Sequence, residues 1–95
     1  MRLKWERMAL LNLHAIHDYI CQHDTRAVQN IAQQIQDSAV NLKSFPLLGR
    51  PAEIGDVRLL QVPGLPYLLP YRVINDTIHI LAVFDERQRR PPEWQ

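Results

Sequence analysis

Cysteine is nearly missing from this chain. Cys21 is the only one in 95 residues, so no internal disulfide can form and burial alone must hold the fold together. A reducing compartment accepts such a protein. Glycine is scarce as well. Gly49, Gly55 and Gly64 stand far apart, which excludes a glycine-rich loop cradling a nucleotide phosphate. No apolar run approaches the roughly 20 residues of a membrane helix. The start, Met1-Arg2-Leu3-Lys4-Trp5-Glu6-Arg7, has no apolar stretch leading to a small-residue cleavage site, so no signal peptide is expected. A cytoplasmic protein without membrane contact is the expectation. Excess charge of either sign is also lacking: the formal net charge is +1, which gives no bulk attraction to nucleic acid. Serine is limited to Ser38 and Ser44, both in a helical segment, so no serine nucleophile accompanies the strand histidine His79. Nothing beside Cys21 makes it a thiolate. Acyl transfer is therefore excluded, and no cofactor is implied.

What is present reads as one domain over residues 1–95, with a polar tail from about residue 85. Arg2, Leu3, Lys4 and Trp5 alternate as a short strand does. Ala9, Leu13, Ile16 and Ile20 then recur at helical spacing. A break near His23 follows, with Asp24 and Thr25 as N-caps for a second helix. Its stripe is Ala27, Ile31, Ile35, Ala39 and Leu42, continued by Phe45, and Pro46 ends it. The short break predicts an antiparallel helix hairpin.

After the loop Pro46 to Pro51 the period becomes two. Val57 to Val62 predicts a strand, interrupted by Pro63-Gly64, and Tyr67 to Ile74 predicts another. Asn75-Asp76 is a tight turn. Thr77 to Phe84 is the strongest strand, with Ile78, Ile80, Ala82 and Phe84 expected on one face. Both its faces are mostly apolar, so it should be central. Pro70 removes a donor from the middle of the preceding strand, which predicts a bulge or an unpaired edge there. The whole is an α+β fold, β-α-α-β-β-β, with the helical hairpin on one face of a small, mainly antiparallel sheet.

Chemistry is thinly spread. His14, His17 and Cys21 share one side of the first helix, but no second cluster completes a metal site; residues at a boundary between core and solvent account for them, and no metal is expected. A general base can sit where His79 is, yet a lone strand histidine is more often a hydrogen-bonded structural residue. Arginines carry more weight. Arg50, Arg58, Arg72, Arg87, Arg89 and Arg90 all follow the helices, against six acids in the same stretch. Arginine grips phosphate or carboxylate through parallel hydrogen bonds, so the Arg87 to Arg90 run reads equally as a binding element or as a solvated tail.

Several motifs in order carry a resemblance: Pro46-Leu47-Leu48-Gly49-Arg50-Pro51, Val57-Arg58-Leu59-Leu60, Pro66-Tyr67-Leu68-Leu69-Pro70-Tyr71-Arg72-Val73, Ile78 to Phe84, and Arg87-Gln88-Arg89-Arg90-Pro91. With Trp5 before the first helix and Asp18-Tyr19-Ile20 near its end, the chain resembles the ParE branch of the ParE/RelE toxins, the plasmid-stabilisation toxins. The resemblance implies a toxin neutralised by a small cognate antitoxin. Such an antitoxin wraps an amphipathic segment around the toxin and carries a DNA-binding domain, so operator DNA is reached only through it. It also implies growth arrest by inhibition of DNA gyrase, without enzymatic chemistry. On that reading Arg87, Arg89, Arg90 and Trp94 contact the target, and Leu11 and Tyr19 contact the antitoxin.

The RelE branch has the same fold but cuts messenger RNA on the ribosome. In this chain Arg58, Arg72 and Arg87 would be its phosphate-holding groups. RelE-like chains place a basic residue after the first tyrosine of the Tyr-x-x-x-Tyr strand, where this chain has Leu68. They also carry a tyrosine soon after the last strand, and none stands here. A toxin fold surviving only as a binding module is a third possibility, hinted at by Pro70.

Overall fold

The computed structural model describes residues 1–23 and 25–87, with side chains for all of these except 23–29. Strand β1 spans Arg2–Trp5, helix α1 Arg7–His23 and helix α2 Thr25–Asn41. Strands β2 (Arg50–Pro51), β3 (Arg58–Gln61), β4 (Tyr67–Ile74), β5 (Thr77–Ile80) and β6 (Phe84–Asp85) follow. The sheet runs β1-β5-β4-β3-β2, with β6 also pairing β4. Only β1 against β5 is parallel; the other pairs are antiparallel.

Chain direction changes where backbone bonds are handed from sheet to helix. The Glu6 N–H donates to Ile80 O at 2.9 Å, while its own carbonyl accepts the Leu10 N–H at 3.1 Å. Glu6 thus ends β1 and opens α1. The apolar stripes face inward as their spacing requires. Ala9, Ile35, Ala39 and Leu42 are fully buried with Leu69, Tyr71, Ile78 and Ile80, and Leu13, Ile16 and Ile31 pack around them. Burial of about 1.5–3 kcal/mol per large apolar side chain is what holds the hairpin to the sheet. The proposed caps Asp24 and Thr25, and Ala27, fall outside the described side chains.

The end of α2 departs from expectation. Helix geometry stops at Asn41. The next turn tightens into i−3 bonds, Leu42 to Ala39 and Lys43 to Val40, because a residue before proline resists the α conformation. Phe45 does not continue the stripe; it is 64% exposed.

The last strand also differs, and Pro70 is the reason. The Val62 N–H donates to Tyr67 O at 3.0 Å. Bonded pairs alternate along an antiparallel ladder, so Leu69 and Tyr71 bond toward β3 and Pro70 turns its backbone toward the last strand. Its carbonyl accepts the Leu81 N–H at 2.8 Å, but it has no N–H to return. Regular pairing stops there. Ile80 pairs with Tyr71 and Phe84 with Leu68, so Leu81, Ala82 and Val83 oppose only Leu69 and Pro70. One extra residue makes a bulge. Ala82 and Val83 are both buried in succession, and Phe84 lies on the opposite face from Ile78 and Ile80. The expected single face of Ile78, Ile80, Ala82 and Phe84 is broken after Ile80.

The loop Pro46 to Pro51 is fastened by Tyr71, whose side chain is fully buried. Its hydroxyl donates to Pro46 O at 2.8 Å and accepts the Gly49 N–H at 2.9 Å. A Cβ on Gly49 would come 2.6 Å from the Tyr71 ring and 2.9 Å from Leu59 O, so only glycine fits. Arg58 clamps the same loop through Gly49 O at 2.7 Å. Beyond it, β2 adds a short edge to β3. Tyr71→Phe should strand two polar backbone groups and cost about 1–3 kcal/mol for each one left buried and unpaired. Gly49→Ala should destabilise at least as much, by overpacking. Urea unfolding would show both as a lower midpoint at unchanged slope.

Candidate functional site

The one-residue shift at the bulge decides what faces the helices after it. Asp85 pairs with Tyr67, and Tyr67 belongs to the core side of the sheet; Asp85 therefore lies on that side, beneath α1. Asn12 ties the two together, its Oδ1 accepting the Val83 N–H at 3.2 Å. Between α1 and this end of the sheet lies a cleft of about 580 Å³ lined by Asn12, Ile16, Tyr19, Tyr67, Asp85 and Arg87, among others.

Asp85 and Arg87 form a fork. Asp85 Oδ1 accepts the Arg87 backbone N–H at 2.9 Å and its Nε–H at 3.0 Å, and Oδ2 accepts Nη2 at 2.7 Å. Hydrogen bonding from Arg87 holds the Asp85 carboxyl below its ordinary value, although burial opposes it. Tyr67 is only 6% exposed. Burial pushes its phenol up; the Asp85 charge adds to that and Arg87 opposes it. No described residue accepts from or donates to its hydroxyl. The opening of the cleft is wetter. Arg87 keeps 68% of its side chain in solvent, and Tyr19 is 64% exposed.

The other singled-out arginines are placed elsewhere. Arg58 pairs across from Tyr71 and so shares its core-side face, bound to Gly49 O. Arg72, the next residue along β4, points to the opposite face. It grips Asp56 through Nε at 2.7 Å and Nη2 at 3.3 Å. Arg58 and Arg72 are therefore separated by the thickness of the sheet. Asp85, which holds Arg87, opposes Tyr67 at the start of β4, and Arg58 opposes Tyr71 four residues further along, about 13 Å by strand rise. Leu68, also off the core face, is 2% exposed and packs across from Phe84. Arg89, Arg90 and Trp94 lie outside the described residues.

On the same outer face, His79 Nδ1 sits 2.8 Å from Glu6 Oε1. That hydrogen bond, helped by Lys4 at 3.9 Å, keeps the Glu6 carboxyl below its ordinary value. His79 is thus a strut between β5 and the start of α1. His14 and His17 both approach Asp18, at 3.4 and 3.8 Å. Among the described residues no three such side chains are grouped to hold a metal ion. Leu11 is 53% exposed and neighbours the exposed Met8 one turn before it on α1, whereas the exposed Leu10 lies on another side of the helix, beside Leu13 and His14. Sequence reasoning passed over Tyr67, Asn12 and Asp85 as site residues. The signal that could have found them was Pro70, because a bulge there inverts which residues face the helices.

A model of the family described as the ParE toxin of the type II toxin–antitoxin system parDE matches residues 3–90. The chain belongs to the ParE toxin family. It is 33% identical over 90 residues to "Putative toxin Y4kP" of Sinorhizobium fredii, covering 95% of this chain and 93% of the relative. It is 35% identical over 79 residues to toxin RelE2 of Caulobacter vibrioides, covering 83% and 88%. A solved chromosomal ParDE system from P. aeruginosa superposes with a TM-score of 0.82 at 31% identity, over 90% of this chain and 95% of that one. The chain is thus the toxin of a type II toxin–antitoxin pair, and its partner is an antitoxin. No helix among the described residues of this toxin is long and apolar enough to cross a membrane.

Glu6, Asp56 and Asp85 all titrate below their ordinary values. Each therefore adds stability that is present above the unfolded-state carboxylate range, near 3.8 to 4.5, and lost as pH falls through the folded values. The urea midpoint of this toxin should stay level from about pH 7 to about pH 5 and drop below that. Asp85→Asn should flatten part of the acid slope. An unaltered slope would remove Asp85 from the acid-sensitive set.

Proposed function

We propose that this ParE-family toxin arrests growth by binding DNA gyrase and trapping it after DNA cleavage, with the basic run that starts at Arg87 as the contact. The carrying observation is the dispersal of the arginines that RNA cleavage would need. A ribonuclease must converge cations on one phosphate and keep acid and base groups beside it. Arg58 and Arg72 face opposite sides of the sheet, so they do not converge on one phosphate. Leu68 fills an apolar position where RelE-like chains carry a base. A surface that binds another protein needs none of that convergence. Arg87, Arg89, Arg90 and Trp94 follow β6 as a basic and aromatic segment, a composition favoured at binding hot spots.

Adding the purified chain to a gyrase supercoiling and cleavage assay tests this. Inhibition with accumulation of cleaved DNA is expected, and charge reversal at Arg87, Arg89 and Arg90 should abolish it while the fold persists. Absence of any effect from folded protein would overturn the gyrase assignment. New messenger RNA ends after induction in cells would replace it with the RelE-type activity.

Neutralisation follows from the exposed strip on α1. Its residues Met8 and Leu11 are exposed apolar side chains on one side of the helix, and Tyr19 continues that side toward the cleft. The antitoxin's amphipathic segment fits that surface, and its own DNA-binding domain would bring the pair to the operator. Leu11→Glu should weaken antitoxin binding in calorimetry by about tenfold or more, the effect of burying an unpaired charge. An unchanged affinity would move the antitoxin off this face.

A further inference from the structure

We propose that the cleft beside Tyr67 is an antitoxin subsite that accepts a carboxylate side chain, and that its occupant closes over Arg87. The inference rests on the toxin–antitoxin assignment and specifies one contact within it.

Donors and acceptors in the cleft are unequal. Asp85 already accepts three bonds from Arg87, and Asn12 Oδ1 accepts the Val83 N–H, which leaves about one lone pair on each group. The donors are not used up. The Tyr67 ring is buried, and its hydroxyl has no hydrogen-bond partner among the described residues. No side-chain oxygen sealed from solvent lacks a partner among them, so the hydroxyl is open to the cleft. The Arg87 guanidinium has five N–H groups and spends only its Nε and one Nη2 direction on Asp85. Among the described residues Asn12 Nδ2 has only the Met8 sulfur, at 3.8 Å. A group that brings acceptor oxygens and no donors satisfies this arrangement. A carboxylate does so, and it adds a charge-assisted bond to Arg87.

The occupant is identified by position. The cleft opens between Asn12, Ile16 and Tyr19 of α1 and the end of β6, so it continues the side of the helix that exposes Met8 and Leu11. A segment lying on that side reaches the cleft without leaving the surface. An acidic side chain at that point would pair with the first arginine of the basic run. Neutralisation is then direct: the group that holds the antitoxin at Tyr67 occupies a residue the target contact requires.

The test uses the purified chain and the antitoxin encoded beside it, titrated calorimetrically. Tyr67→Phe keeps the buried ring and removes only the hydroxyl. Binding should weaken by roughly tenfold or more, the usual effect of losing a hydrogen bond to a charged group, while thermal unfolding of the free toxin stays in place. Changing each antitoxin Asp or Glu to its amide should identify one residue whose effect is not additive with Tyr67→Phe. Equal affinity of Tyr67→Phe and the unaltered chain, or additivity for every antitoxin acid, overturns the subsite. Failure of the unaltered chain to bind at all would instead overturn its pairing with that antitoxin.

Discussion

One missing backbone proton organises half of this molecule. Pro70 sits in the longest strand, with its backbone turned toward β5 rather than β3. Its carbonyl still accepts a bond from Leu81, but no N–H returns one. The final segment therefore pairs regularly up to Ile80, keeps one bond at Leu81, and pairs again only at Phe84. A strand's faces alternate residue by residue, so one extra residue inverts everything after it. Without the bulge, Phe84 would lie across from Tyr67 and Asp85 would point away from the helices. With it, Phe84 covers Leu68 on the outer face and Asp85 comes beneath α1.

Tyr71, the very next residue, works on the other side of the same strand. Its ring fills the core while its hydroxyl binds the loop that leaves α2. Gly49 must lie against that ring, and Arg58 must reach the Gly49 carbonyl for the loop to close. The Pro-x-x-Gly-Arg-Pro pattern and the Tyr-x-x-x-Tyr-Arg pattern are thus two halves of one contact. A functional reading of Arg58 competes with this structural use. An arginine already bonded to a loop carbonyl would have to give that bond up to hold a phosphate, so the loop's stability opposes RNA chemistry at this position.

Fold and site were legible to different depths for the same reason. Ala9, Leu13 and Ile16, like Ile35 and Ala39, announce their burial through spacing, and spacing is a local property. The Asn75 turn is equally local, and the structure gives that residue a positive φ of 54°. Pro70 was legible as a disruption. Its consequence was not, because that depends on which neighbour its backbone faces, and this is set by the register with β3. The same limit hid Tyr67, which reads as one more apolar strand residue until the cleft above it is seen. Phe45 erred in the other direction. It continues a helical stripe on paper, but Pro46 tightens the chain before the stripe reaches it.

The placement of Asp85 links this geometry to the basic run. Arg87 is two residues beyond Asp85, and three bonds from that one carboxylate fix its backbone and its guanidinium together. A flexible basic tail would lose conformational freedom on meeting its target. Here the first arginine is already oriented, with most of its side chain in solvent, so less of that loss remains. The fork uses Nε and one Nη2 direction and leaves most of the Arg87 side chain in solvent, so its remaining N–H groups stay within reach of a partner. The proline that breaks the sheet thus positions the acid that orients the arginine. A feature that looks like a defect in the strand is, in this arrangement, what aims the first arginine of the proposed contact.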